Sequence, residues 1–411
     1  MMKTVDEALQ LMLSYVRDKT ESYNFSPFWR TGYVVAEDVT SEIDLPPYSN
    51  SAVDGYGVYA EDVTDASETE PINLPVSQDI PAGVYPTETL KPKTAARIMT
   101  GAPVPPGVNA MIMREDTREY RDRVEILEAA KIGQHIRKQG EEFKMGEVGV
   151  RAGTFLDPAT IGLLTSLGKS EVGLHRKPQV AIFTTGDEVV DLSVKPLPPG
   201  FLYNSNLPSM KVAVEDAHAQ VHSWWHLPDD LAATEAALLN VMNEPEGAPD
   251  LIVTVGGVSV GDRDFVKPAL EKIGTLELWK IAMKPGKPLA FGTLGGALFV
   301  GLPGNPVSAL IGFEVFVRPL LRKMMGFSED RLSRPLINAT LLSPVRHTQG
   351  RREFVRAVAH FQDGEIFVVP VGAQGSGMLS GLSQSNALFI VPEEVGNLEA
   401  NVRVKVMLIE N

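Results

Sequence analysis

Leu251-Ile252-Val253-Thr254-Val255-Gly256-Gly257-Val258-Ser259-Val260-Gly261-Asp262-Arg263-Asp264 is the stretch on which the fold turns. Its first five residues form a near-continuous apolar run, as a parallel strand buried on both faces requires. The run enters Gly256-Gly257 directly, and glycines there allow positive φ and close approach of a ligand to the backbone. A helix starting near Asp264 would aim free N–H groups into the turn and favour an anion. The same glycines would also serve a tight strand-to-helix turn with no ligand. Ser259, Asp262 and Asp264 crowd the loop with polar groups and favour binding.

Working outward, residues 179–325 alternate apolar runs with helical patterns. Strands are expected at Gln179–Thr185, Gln220–Leu227, Leu251–Val255 and Ala297–Leu302. Helices are expected at Leu207–His218, Asp229–Asn243, Asp264–Ile273 and Pro306–Met325. Such alternation implies crossover units and a doubly wound, mainly parallel α/β domain, with ligands at strand C-termini. Upstream, Thr4-Val5-Asp6-Glu7 is a capping box that opens a helix. From about residue 40 to 150, with a boundary near Gly140, Pro, Gly and β-branched residues replace helical periodicity and predict an inserted β-rich domain. Asp157-Pro158 opens a short helix that Gly168 follows. Beyond Ser333-Arg334-Pro335, five short strands (Ile337–Leu342, Glu353–Ala359, Ile366–Pro370, Ala387–Val391 and Val402–Leu408) predict an all-β barrel-like terminal domain. The expected division is 1–45 with 140–177 as the first unit, 46–139, 178–327 and 335–411. The N-terminal helix is expected to pack on the α/β unit.

The 411 residues suffice for several cores, with 44% hydrophobic and 22% charged residues. Net charge is −14, which argues against a nucleic-acid binder and makes any local basic cluster notable. The chain has no cysteine, so disulfides, zinc ribbons, iron–sulfur clusters and thiol nucleophiles are excluded. The N-terminal segment has no apolar signal core, and no apolar run is long enough to span a membrane. A cytoplasmic location is expected.

Four segments of the α/β region can carry chemistry. The glycine turn is the first. The second is Trp279–Pro288, where alternation in an extended strand would place Lys280 and Lys284 on one face, with Lys287 following a Pro-Gly turn. These lysines suit an anion, or equally the protection of an edge strand. In the third, Gly301-Leu302-Pro303-Gly304-Asn305-Pro306, Asn305 can cap a helix begun by Pro306. The fourth, Thr184-Thr185-Gly186-Asp187-Glu188, brings acids to a strand end, where they would hold Mg²⁺ or cap a turn. The 7 histidines show no ligand spacing. There is no Ser-centred elbow and no Walker loop.

Six segments in order resemble the molybdopterin molybdenumtransferase (MoeA) family, found also as the E domain of gephyrin. They are Asn50-Ser51-Ala52-Val53-Asp54-Gly55-Tyr56, Arg97-Ile98-Met99-Thr100-Gly101-Ala102, Thr185-Gly186-Asp187-Glu188, Gly256-Gly257-Val258-Ser259-Val260-Gly261, Lys284-Pro285-Gly286-Lys287-Pro288 and Gly301-Leu302-Pro303-Gly304-Asn305-Pro306. The resemblance implies that molybdenum from molybdate is inserted into adenylylated molybdopterin, with release of AMP and the aid of Mg²⁺. It implies residues 178–327 as the molybdopterin-binding unit. It also implies a homodimer whose composite site joins the α/β domain of one chain to the β-rich domain of the other. By family position Asp54, Glu188 and Asp264 are the candidate catalytic acids, Glu188 and Asp264 also the Mg²⁺ ligands. Thr100, Gly256, Gly257, Ser259, Lys280, Lys284, Lys287, Pro303, Pro306 and Ser376 are the candidate binding residues. Glu142 stands where some relatives carry Asp. Molybdopterin adenylyltransferase and molybdoenzyme apoproteins are the implied partners, with no nucleic acid and no membrane.

Two other functions are compatible with parts of the sequence. Molybdopterin adenylyltransferases resemble residues 179–325 alone, and the additional domains argue against that activity. A non-enzymatic cofactor carrier or scaffold would bind tightly without turnover.

Overall fold

The structure, a computed structural model, describes residues 2–26, 31–258 and 264–409. Gln179–Thr185, Gln220–Leu227, Leu251–Val255 and Ala297–Leu302 are strands at the bounds expected from sequence. They run parallel in a six-stranded sheet, in the spatial order 220–227, 179–185, 251–255, 297–302. Pro288–Leu294 and Thr275–Lys280 extend the sheet antiparallel at one edge.

Side-chain alternation explains why these strands are apolar throughout. Val180 and Ile182 enter one core with Met210, Val307 and Phe316. Ala181 and Phe183 enter the other with Leu238, Val266 and Leu270. Helices Asn206–Asp216 and Pro306–Gly312 therefore cover one face, and Leu231–Val241 and Val266–Ile273 the other. Burying each such Ile, Leu or Phe contributes about 1.5–3 kcal/mol. The chain adds its second strand on one side of the first and then crosses to the other side. The topological switch point thus lies between 179–185 and 251–255.

The N-terminal helix Val5–Ser14 begins with the capping box: Thr4 N–H donates to Glu7 Oε2 (2.8 Å) and Glu7 N–H to Thr4 Oγ1 (3.2 Å). Its buried Ala8 and Met12 join the first core, so this helix packs on the α/β sheet. Asp157 caps Pro158–Ser166 through Thr160 N–H (2.8 Å), and Gly168 follows at φ +84°. Gly55–Val58, Ala95–Ile98 and Ala110–Met113 are neighbours in a second six-stranded sheet, which has its own cores.

The C-terminal strands close on themselves. Arg352–Gln362 pairs with Glu365–Pro370, then Leu336–Leu341, Arg403–Leu408 and Ala387–Val391 follow, and the last pairs back to the first. A closed five-stranded barrel leaves no edge among these strands. No helix of the described residues is long and apolar enough to cross a membrane.

Three local expectations are revised. The helix expected from Asp264 starts at Val266. The helix expected over Pro306–Met325 contains a π-helical turn at Phe313–Val317. Pro319, which lacks an N–H, follows at once, so Val315 C=O loses its ordinary helical donor and the wider turn accommodates the proline ring. Finally, Trp279–Lys284 is not one strand. Thr275–Lys280 belongs to the α/β sheet, whereas Met283–Lys284 pairs in parallel with Arg352–Glu353 of the barrel. Ile281 and Ala282 are both buried where the chain changes sheets, so simple alternation fails there.

A candidate anion and phosphate site at the switch point

A cavity of about 450 Å³ lies at the C-terminal ends of the parallel strands. Three turns build its walls: Thr184–Glu188, Gly256–Val258 and Pro303–Pro306. Gly256 and Gly257 adopt φ +98° and +67°, the left-handed region that side chains disfavour. A methyl on Gly256 would also lie 2.5 Å from Thr185 Oγ1. One on Gly304 would come within 3.6 Å of Gly256 Cα, so two of the turns run close together.

Hydrogen bonds tie the walls together. Gly256 N–H donates to Leu302 O (3.0 Å), and Asn206 Nδ2 donates to Gly304 O (2.8 Å). Asn204 Nδ2 donates to Thr184 Oγ1 (2.8 Å), which shares a hydrogen bond with His226 Nδ1 (3.0 Å). His226 Nε2 donates in turn to Gly186 O (3.0 Å) and fixes the turn that carries Glu188. Asp229 N–H donates to Asp187 Oδ1 (3.0 Å), so Asp187 holds the turn.

Glu188, Asp264, Gly256, Gly257, Pro303 and Pro306 all line this cavity. Ser259 lies outside the described residues, as do Asp262 and Arg263. Lys280, Lys284 and Lys287 are not in the cavity wall. Lys280 and Lys287 are exposed, and Lys284 Nζ pairs with Glu353 Oε1 at 2.8 Å. Ser376 reaches the rim through its backbone: Val307 N–H donates to Ser376 O (3.2 Å). That bond satisfies a free donor at the helix start, and Asn305 makes no side-chain cap, contrary to expectation.

Asp54 and Thr100 sit together, and neither lines the cavity. Gly55–Val58 and Ala95–Ile98 are antiparallel, with Gly55 opposite Ile98, so Asp54 and Thr100 emerge at the same end. Thr100 donates its N–H (2.6 Å) and its hydroxyl (2.8 Å) to Asp54 Oδ1. The amide and then the hydroxyl hold the Asp54 carboxyl below its usual range. Glu142 is exposed, outside the cavity, and its N–H donates to Leu45 O (3.0 Å).

Sequence reasoning missed Asn204, Asn206 and Asp229, all in the wall. Their signal was local: Asn204-Ser205-Asn206 and Asp229-Asp230 are polar runs just before helices at the ligand end of the sheet. Asn206 Oδ1 is buried with no hydrogen-bond partner among the described residues, which leaves an acceptor for a ligand donor.

The walls are acidic, with Glu188, Asp229 and Asp264. Among the described residues no three His, Asp or Glu side chains cluster as a metal cage. Mg²⁺ needs no such cage, because one or two carboxylates, water and substrate phosphate oxygens complete its shell. The donor set of Glu188 and Asp264 therefore fits that ion in chemistry.

Fold and cavity define a multi-domain α/β protein with a phosphate-suited site at the switch point. Residues 3–168 match the MoeA N-terminal region (domain I and II), 181–323 a probable molybdopterin binding domain, and 338–409 the MoeA C-terminal region (domain IV). The chain is 38% identical to the molybdopterin molybdenumtransferase of Haemophilus influenzae, over 98% of each chain. It is 39% identical to molybdopterin molybdenumtransferase 2 of Mycobacterium tuberculosis, over 91% of this chain and 92% of the relative. The crystal structure of the molybdopterin biosynthesis moeA protein from Pyrococcus horikoshii superposes with a TM-score of 0.84 at 30% identity, covering 99% of this chain and 100% of that one. The chain belongs to the MoeA family of molybdopterin molybdenumtransferases, enzymes of molybdenum cofactor biosynthesis.

Proposed function

We propose that this chain inserts molybdenum from molybdate into adenylylated molybdopterin and releases AMP, with Mg²⁺ required. The observation that carries this reading is the convergence of Glu188 and Asp264 on one cavity walled by three glycine-containing turns. Close-approaching backbone at strand C-termini suits a pyrophosphate, and carboxylates suit a metal-assisted attack on it. When bound by Glu188 and Asp264, Mg²⁺ would neutralise charge on the phosphates. Asp264 accepts the proton of the water that attacks the adenylyl phosphorus; the phosphoanhydride bond breaks, AMP forms and the molybdopterin phosphate is the leaving group. Glu188, held over Gly186, positions the attacking water beside the phosphoanhydride. Lys280, Lys284 and Lys287 attract molybdate at the rim, where Pro303, Pro306 and Ser376 shape the entrance. The test is incubation with adenylylated molybdopterin, Mg²⁺ and molybdate, following AMP and active cofactor together.

The absence of Asp54 and Thr100 from the cavity wall supports a homodimeric, composite site completed by Asp54 and Thr100 of a second copy. Asp54→Asn and Asp264→Asn proteins are each expected to be inactive as homodimers. Unfolded and refolded together, they should regain about a quarter of wild-type activity, since half the dimers would carry one intact site. No recovery in a mixture shown to contain heterodimers would mean that both acids act within one chain. Ser259 is proposed as a further binding residue. The molybdopterin adenylyltransferase and the apoenzymes that receive the cofactor are the proposed partners, and the cytoplasm the proposed location.

A further inference from the structure

Glu353 is an anomaly in the barrel. It begins a run of five residues, Glu353–Ala357, all buried, yet it carries a carboxylate that is only 4% exposed. A carboxylate removed from water is unfavourable unless it is paired. Its Oε1 accepts from Lys284 Nζ at 2.8 Å. Its Oε2 is buried with no hydrogen-bond partner among the described residues, and the His347 ring has its Nε2 3.7 Å away. His347 is itself occupied by backbone, with Nδ1 2.8 Å from Val395 O and Nε2 3.0 Å from Arg351 O.

The backbone makes the same connection. Lys284 lies opposite Glu353 in the parallel pairing. Arg352 N–H donates to Ala282 O (2.9 Å), and Ala282 N–H to Lys3 O (2.8 Å). The lysine strand is thus set by the barrel and the N-terminal segment together. Lys284 keeps 45% of its side chain exposed. One of its three N–H donors goes to Glu353, and two remain for an anion. An unanchored lysine would sample many rotamers and lose that freedom on binding.

We propose that Glu353 is a positioning residue that holds the Lys284 ammonium where an incoming oxyanion meets it; this rests on the reading of Lys284 as part of the molybdate pocket. The barrel then contributes to the chemistry of the α/β domain through one buried carboxylate. In the AMP-release assay with molybdate varied, Glu353→Leu, which fills the barrel position without an acceptor, should raise the KM for molybdate about ten-fold. The KM for adenylylated molybdopterin and kcat should stay near wild type. Glu353→Gln keeps an acceptor oxygen in place and should restore the molybdate KM to within about three-fold. In a Lys284→Gln background, Glu353→Leu should add nothing, because both changes remove one interaction. Should the Leu variant not fold, Glu353→Asp withdraws the carboxylate by about 1.5 Å and should raise the same KM alone. If Lys284→Gln raises the molybdate KM while the Glu353 variants leave it unchanged, the positioning role is wrong and the pocket stands. If Lys284→Gln itself has no effect, the assignment of Lys284 fails and the positioning role falls with it.

Discussion

Asp264→Ala is expected to bind adenylylated molybdopterin about as tightly as the wild type and to release AMP about 10²–10⁴-fold more slowly, the usual range for loss of a general base. The residue lines the cavity two positions before the helix Val266–Ile273. Gly256 and Gly257, with the Pro303–Pro306 turn, supply binding surface that does not depend on its carboxylate. A loss confined to kcat is the signature of an interaction made only in the transition state. Equilibrium binding and single-turnover AMP release separate the two quantities. Unchanged turnover would remove Asp264 from the mechanism, and lost binding would make it a substrate anchor.

The largest expected effect on stability lies elsewhere, beneath the α/β domain. Arg318 is 1% exposed and donates to Glu314 through Nε (2.7 Å) and Nη2 (2.9 Å), and to Asp216 O through Nη1 (3.1 Å). Arg334 Nε adds a bond to Glu314 Oε2 (2.7 Å). Removing Arg318 takes two hydrogen bonds from Glu314 and leaves it to Arg334, so Arg318→Ala should cost about 3 kcal/mol, the lower end of the range for a broken buried pair. Thermal denaturation checks this, and a shift of only a degree or two would contradict it.

The same network carries a pH dependence. Burial is the strongest single influence on Glu314 and acts to raise its pKa, but Arg318 and Arg334 together outweigh it and hold the carboxyl below its ordinary value. A depressed carboxylate contributes stability that is present above its unfolded pKa, about 4.3, and is lost as pH falls through the folded value. The wild type should therefore lose this contribution only below about pH 4, and Arg318→Ala should lose less on acidification.

The α/β domain was legible because its strands are buried on both faces. Leu251–Val255 reads as a strand from composition alone, and its ends agree with the structure. The barrel strands were legible for a related reason, being short apolar runs separated by turns. The lysine strand misled because alternation is a local property, whereas the exchange from one sheet to another at Ile281–Ala282 is decided by distant partners, Lys3 and Arg352. The π-turn at Phe313–Val317 was readable in principle, since Pro319 announces a missing donor. Of the site, the glycines and acids at strand ends were visible as motifs. The Asn206–Gly304 bond, the Asn204–Thr184–His226 support and the Glu353–Lys284 pair were not, because each joins residues 20 to 98 positions apart.

The most direct measurement is a single incubation of the purified protein with adenylylated molybdopterin, Mg²⁺ and molybdate, with AMP and protein-bound molybdenum quantified over the same time course. The expected result is one AMP released for each molybdenum atom incorporated, with both abolished in Asp264→Ala. Tight retention of the adenylylated pterin with neither AMP nor molybdenum incorporation, in folded protein supplied with Mg²⁺, would contradict the assignment and leave a cofactor carrier in its place.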